Sequence, residues 1–145
     1  MSERAPAETT AGYKWFCDIS ARWMDNDVYG HVNNVAYYSY FDSAANLYLI
    51  REGGLDIQGS AVIGVVVESQ CSYRQPIAYP DAIRAGLRVD KLGQRSVTYG
   101  IGIFSGKNDT AAASGHFVHV FVDRATRAPV PIPEEIRKAL EAIAV

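Results

Sequence analysis

Hydrophobic and polar positions change period along the chain, and the changes mark out the elements. From Tyr13 to Ser20 the pattern alternates loosely, with Tyr13, Trp15, Cys17 and Ile19 on one side. A half-buried strand alternates this way. Val35 to Glu52 then repeats every three or four residues. Tyr37, Tyr38, Phe41, Ala44, Ala45, Tyr48 and Leu49 form an apolar stripe along one helix. Asn33 or Asn34 can cap its first turn through a side-chain oxygen, and Gly53-Gly54 supplies a left-handed stop. After this helix the period returns to two. Ala61–Arg74, Ala82–Leu92, Arg95–Ser105 and Thr110–Asp123 read as four strands, joined by Pro-, Gly- and Asp-rich turns. Pro129, Pro131 and Pro133 end the sheet, and Glu134 to Ala144 closes as a short amphipathic helix.

The order strand, helix, four strands predicts an α+β fold with an antiparallel five-stranded sheet. Short connections join antiparallel neighbours, and the one long helix must cover a sheet face. The last strands are apolar on both alternating faces, with Val118, Val120 and Val122 opposite Phe117, His119 and Phe121. A single helix cannot cover so much apolar sheet. A second copy is therefore expected to close an exposed edge or face. Residues 1–12 show no periodicity and read as a flexible leader, with a single domain over 13–145.

Composition narrows the classes. The chain has 145 residues, 48% hydrophobic and 21% charged, which is ordinary for one globular domain. A formal net charge of −2 gives no electrostatic case for nucleic acid or an anionic membrane surface. No apolar run reaches the roughly 18 residues of a membrane span. The N-terminus lacks a signal-peptide core. Two cysteines, Cys17 and Cys71, suit buried small hydrophobes better than a disulfide framework. The cytosol is the expected compartment.

Scans for nucleophile elbows and phosphate loops find neither. Gly100-Ile101-Gly102 sits inside a strand and reads as packing. His116 and His119 are three apart on a strand, which sends them to opposite faces and argues against a shared metal. What remains is the segment before the long helix. Asp25, Asp27, Gly30, His31, Asn33 and Asn34 put two carboxylates, an imidazole and two amides within ten residues. A solvated turn with a helix cap accounts for such residues on local grounds. The segment nevertheless opens onto a helix N-terminus, whose unpaired N–H groups stabilise an oxyanion. The tyrosines behind it offer a floor for an acyl or aryl group. Asp42 lies near the apolar stripe, either beneath the loop or on the helix surface.

The string from Arg22 to Tyr37, R-W-M-D-N-D-V-Y-G-H-V-N-N-V-A-Y, resembles hotdog-fold acyl-CoA thioesterases of the 4-hydroxybenzoyl-CoA thioesterase type. Their motif there is an aromatic, then D-x-D-x-x-G-H-x-N-N-x-x-Y, opening the central helix. Tyr73-Arg74-Gln75-Pro76 followed by Asp81 is a weaker second match. The resemblance spans roughly residues 13–125, and its G-H-V-N-N form is nearer the fatty-acyl and general acyl-CoA branch. It implies a hotdog fold and thioester hydrolysis. Asp27 would be nucleophile or general base, with an oxyanion-holding N–H near Asn34 and His31 in the catalytic group. Gly30, Asn33, Tyr37, Tyr38 and Phe41 would line the substrate site. Acyl-CoA or acyl-carrier protein would be the substrate and a homodimer, or a dimer of dimers, the assembly, with no cofactor beyond the coenzyme A of the substrate. Arg74, Arg84, Arg88, Lys91 and Arg95 are candidates for its phosphates, and Glu68 and Ser69 could face a partner's pocket. Two alternatives stand beside hydrolysis: an acyl-thioester hydratase or dehydratase using Asp27 with His31, and a non-catalytic acyl-CoA-binding module.

Overall fold

The computed structural model describes residues 7–145. In chain order the elements are β1 (Trp15–Ile19), α1 (Asn34–Gly53), β2 (Val62–Tyr73), β3 (Ile83–Leu92), β4 (Ser96–Ser105), β5 (Ala113–Asp123) and α2 (Glu134–Ala142). Each falls where the period of the sequence places it. The five strands form one antiparallel sheet in the order β1-β3-β4-β5-β2. With α1 laid along one face, this is the α+β hotdog fold.

The topology departs from a simple meander at one point. β2 does not neighbour β3; it pairs with β5 at the far edge, Val62 opposite Asp123 and Tyr73 opposite Ala113. The physical reason is the connection. Residues 74–82 are long enough, and broken enough by Pro76 and Pro80, to cross the end of the sheet before β3 begins. Only the β3–β4 and β4–β5 links act as local hairpins.

α1 buries Tyr37, Tyr40, Phe41, Ala44, Ala45, Tyr48 and Leu49 against the sheet. Tyr40 takes the place expected of Tyr38, which is half-buried. Ala44 and Ala45 let the helix backbone approach the sheet closely. The facing sheet residues include Ala85, Leu87, Tyr99, Ile101, Phe117 and Phe121, all 2% exposed or less. The Tyr48 hydroxyl donates to the Ala139 carbonyl and ties α1 to α2, whose Ile136, Ala139 and Leu140 are buried. Asn33 caps α1, its Oδ1 accepting the Val35 N–H at 2.9 Å, and Gly54 at φ +69° ends it.

The expected leader is partly tied down. Residues 1–6 lie outside the described residues. Beyond them Thr10 donates to the Asp109 carbonyl and Ala111 to the Glu8 carbonyl. Glu8 also pairs with Arg88 at 3.2 Å. These bonds, absent from any periodicity in the leader itself, lead into Tyr13, which lies across the outer face of the sheet. A Cβ at Gly102 would stand 2.7 Å from its ring, so the second glycine of Gly100-Ile101-Gly102 is packing space. Among the described residues no helix is long and apolar enough to cross a membrane.

Candidate active site

The loop between β1 and α1 is held in shape from beneath by Asp25. A one-turn 3-10 helix, Trp23–Asp25, turns this carboxylate inward, where it is 4% exposed. It accepts the Arg22 N–H at 2.9 Å, the Arg22 guanidinium at 3.1 and 3.0 Å, and the Tyr40 hydroxyl of α1 at 2.9 Å. Burial opposes its charge. The Arg22 N–H, the Tyr40 hydroxyl and the Arg22 guanidinium together outweigh burial and hold the carboxyl below its usual range. The Asp25 carbonyl accepts the Asn33 N–H at 2.8 Å, so the same residue fixes where α1 begins.

From this anchor the loop folds back on itself. Asn26 bridges Val32, the Asp27 N–H donates to the His31 carbonyl at 2.9 Å, and Val32 donates to the Ile77 carbonyl at 2.7 Å. The Asn26 side chain accepts the Tyr79 N–H at 3.0 Å, which fastens the loop to the 74–82 connection. Gly30 at φ +85° makes the reversal, a conformation that side chains resist.

The loop and that connection enclose an open cleft of about 480 Å³ at the N-terminus of α1. Asp27, His31, Asn33 and Asn34 line one side, with Tyr37 at the helix. Tyr73, Arg74, Gln75 and Pro76 line the other. The two sequence motifs, forty residues apart, therefore meet across one cleft. Asp27 is half-buried, and its Oδ1 accepts the Tyr29 N–H at 2.9 Å, leaving Oδ2 for another partner. Asn34 is the first residue of α1, and its N–H has no acceptor among the described residues. The helix dipole adds partial positive charge at the same point. Tyr37 and Tyr73 meet edge to face at 5.1 Å, and burial pushes the Tyr37 hydroxyl up to about 12, so it keeps its proton at neutral pH. A carboxylate beside a preorganised N–H donor, in a cleft open to water, is an arrangement suited to acyl transfer.

Not every expected residue comes to this cleft. Asp27, His31, Asn33, Asn34 and Tyr37 do. Phe41 is fully buried in the core, because its position on α1 faces the sheet. Tyr38 packs on Phe41 at 6.3 Å, and Gly30 borders the other side of the loop. The Asn33 side-chain oxygen is taken up by its capping bond. Asp42 lies on the exposed helix surface, bound to Asn46. Of the basic candidates only Arg74 lines the cleft. Arg88 is held by Glu8 and Asp90, and Arg84 stacks over Phe16 and Phe104. Glu68 and Ser69 are exposed on β2, Glu68 paired with His116 at 2.6 Å. His119 points to the opposite face and is fully buried, its Nδ1 against the Tyr99 hydroxyl at 3.1 Å. Gln75 and the anchoring roles of Asp25 and Tyr40 were missed by sequence reasoning. Tyr40 falls one position off the predicted stripe, and that misfit was the available signal.

Comparison with known proteins agrees with this picture. The profile of the thioesterase-like superfamily matches residues 21–140. The crystal structure of the PA5185 protein from Pseudomonas aeruginosa strain PAO1 superposes with a TM-score of 0.94 at 53% identity, covering 96% of this chain and 97% of that one. A thioesterase from Thermus thermophilus, crystallised with coenzyme A and Zn, is 29% identical, with a TM-score of 0.75 over 91% of this chain and 95% of that one. YsmA from Bacillus subtilis is 24% identical over 91 residues, 63% of this chain. The match spans about three-fifths of that curated relative, 61% of its length.

Proposed function

The chain belongs to the thioesterase-like superfamily, and on that premise we propose that it hydrolyses acyl-CoA thioesters in the cleft between Asp27 and the start of α1. The observation that carries this reading is the shared lining: a half-buried carboxylate and the unpaired first N–H of a helix border one space. The coenzyme A held by the Thermus thermophilus thioesterase supports a CoA thioester as the substrate class.

In the reaction the thioester carbonyl oxygen points to the Asn34 N–H. Asp27 either attacks the carbonyl carbon or takes a proton from the water that does. Negative charge develops on the oxygen, where the amide and the helix dipole stabilise it. The carbon–sulfur bond then breaks and the thiolate leaves, taking up a proton. Overall, thioester and water give a carboxylic acid and a free thiol. On the nucleophilic route an anhydride with Asp27 forms first, and water then cleaves it. His31 and Arg74 border the path of the coenzyme arm.

The exposed edge of β2 supports the assembly. Val66 and Val67 are 46% and 58% exposed on an unpaired edge twelve residues long. An apolar edge of that length pairs with another strand. In this reading a second copy adds its own β2 there, giving a homodimer.

A free-thiol assay tests the function. Wild type should release thiol from acyl-CoA substrates. Asp27→Asn should fold normally and lose on the order of 10²–10⁴ in rate, as removal of a general base or nucleophile does. Full activity in that variant refutes the role of Asp27. Hydration of an enoyl thioester without thiol release would point to hydratase chemistry, and tight binding without either reaction to a binding module.

A further inference from the structure

Asp27 borders a second hollow besides the cleft. Across the loop lies an open groove of about 550 Å³, lined by Trp23, Met24, Asn26, Asp27, Val28 and Gly30. Its walls are mainly hydrocarbon. Trp23, Met24 and Val28 are 74%, 73% and 94% exposed, a concentration of apolar surface that a loop facing water does not carry without use. Fraying does not explain the exposure. The loop is pinned by the Asp25 carboxylate below, by the Asp27–His31 backbone bond, and by the edge contact of Trp23 with Tyr79 at 6.0 Å. The apolar side chains are held outward.

The two hollows differ in chemistry. The cleft offers His31, Asn34, Arg74 and Gln75, groups that suit amides and phosphates. The groove offers no basic side chain at all among its lining residues. They meet at one carboxylate. An acyl thioester has the same division, an alkyl chain on one side of the reacting carbonyl and a polar, phosphorylated arm on the other. We propose that the groove of Trp23, Met24 and Val28 takes the acyl chain, while the coenzyme arm lies in the polar cleft, so that the enzyme selects aliphatic acyl groups by length. This rests on the thioester-hydrolase reading of Asp27. The reverse orientation sets phosphates against Trp23, Met24 and Val28 and gives an alkyl chain only polar neighbours. It therefore forfeits both matches.

The test is the dependence of kcat/KM for thiol release on chain length, from acetyl- through butyryl- and hexanoyl- to octanoyl-CoA. Each methylene entering the groove should raise kcat/KM about fourfold, the increment for burying one methylene, until the groove is full. Met24→Ser and Val28→Ser replace exposed side chains and leave the core untouched, and circular dichroism verifies the fold. They should cut the increment to about twofold or less per methylene. The readout is the slope, whatever the rate on acetyl-CoA. A slope identical in wild type and both variants, or no rise with length, overturns the groove assignment and leaves the hydrolase reading standing. That outcome includes the case in which a second copy covers the groove. No thiol release from any substrate overturns the hydrolase reading, and this inference with it.

Discussion

Replacing Tyr40 by Phe removes one hydroxyl and asks what holds the site loop. Asp25 has two kinds of partner, and their environments differ. Arg22 is close, at 3.0 Å, but its side chain is 63% exposed. Solvent screens such a pair to about 0–1 kcal/mol. The Tyr40 hydroxyl, on a residue 4% exposed, donates to the same carboxylate at 2.9 Å with both ends out of water. A hydrogen bond to a charged acceptor there contributes about 1.5–3 kcal/mol. The buried bond therefore outweighs the ion pair, although the ion pair makes more contacts. Tyr40→Phe should lower the unfolding free energy by about 1.5–3 kcal/mol, and Arg22→Ala by about 1 kcal/mol or less on account of the side chain. Urea unfolding at pH 7 measures both, with an unchanged m-value marking a change in stability alone. The bond also has a pH signature. A carboxyl held below its usual range in the folded state contributes stability that is fully present above the unfolded value of about 3.9. It is lost as pH falls through the folded value. The difference between wild type and Tyr40→Phe should thus be constant above about pH 5 and shrink below about pH 4. If Arg22→Ala costs more than Tyr40→Phe, the ranking is wrong and the loop is held from its surface.

Three further outcomes are expected. Asn34→Pro deletes the helix's first N–H at a position where proline fits, since Asn33 already has φ −62° and ψ 141°; thiol release should fall about 10²–10³-fold with the circular dichroism spectrum unchanged, and an undiminished rate would remove that amide from the oxyanion role. His119 is a buried imidazole whose pKa burial pushes from 6.5 down to about 4. The unfolded chain then binds a proton that the folded chain refuses, so this contribution is complete above about pH 6.5 and declines by on the order of 3 kcal/mol as pH falls to about 4. His119→Phe should flatten that part of the stability curve, and equal slopes in the two proteins would refute it. Val67→Lys puts a charge on the β2 edge and should shift sedimentation from dimer to monomer at micromolar protein; an unchanged dimer would move the interface elsewhere.

Element types were legible because period is a one-dimensional signal. The alternation of Val97, Tyr99, Ile101 and Ile103, and the three- and four-residue repeat from Tyr37 to Leu49, survive into the structure unchanged. Strand order was less legible. A turn-rich connector announces a reversal but not how far it travels, and the 74–82 connection carries the chain from one edge of the sheet almost to the other. The site was legible as one segment, and its second wall only as a weak motif at Tyr73–Pro76, because the Val32–Ile77 and Asn26–Tyr79 bonds that join them are tertiary. Phe41 shows the limit from the other side. It has the residue type and helix position of a pocket floor, but the helix rotation fixed by Ala44, Ala45 and Leu49 turns it into the core.

Asp25 and Asp27 are two residues apart, chemically identical, and assigned opposite tasks by their surroundings. Asp25 is saturated: four donors and almost no water leave its oxygens nothing further to accept. A group in that state shapes structure and cannot reach a substrate. Asp27 gives up one oxygen to the Tyr29 N–H and keeps the other at the meeting of two hollows. The division depends on spacing. Asp25 ends a 3-10 turn that faces inward, and the extended Asn26 reverses direction, so that Asp27 faces outward. Moving either carboxylate by one position would therefore lose both tasks: the anchor would enter water and the reactive group the core. Asp25→Asn and Asp27→Asn should separate cleanly on this account. The first lowers stability by more than about 1.5 kcal/mol and reduces turnover through a loosened loop. The second abolishes turnover with the urea midpoint nearly unchanged. Equal effects of the two on the midpoint would show that the loop does not divide their work.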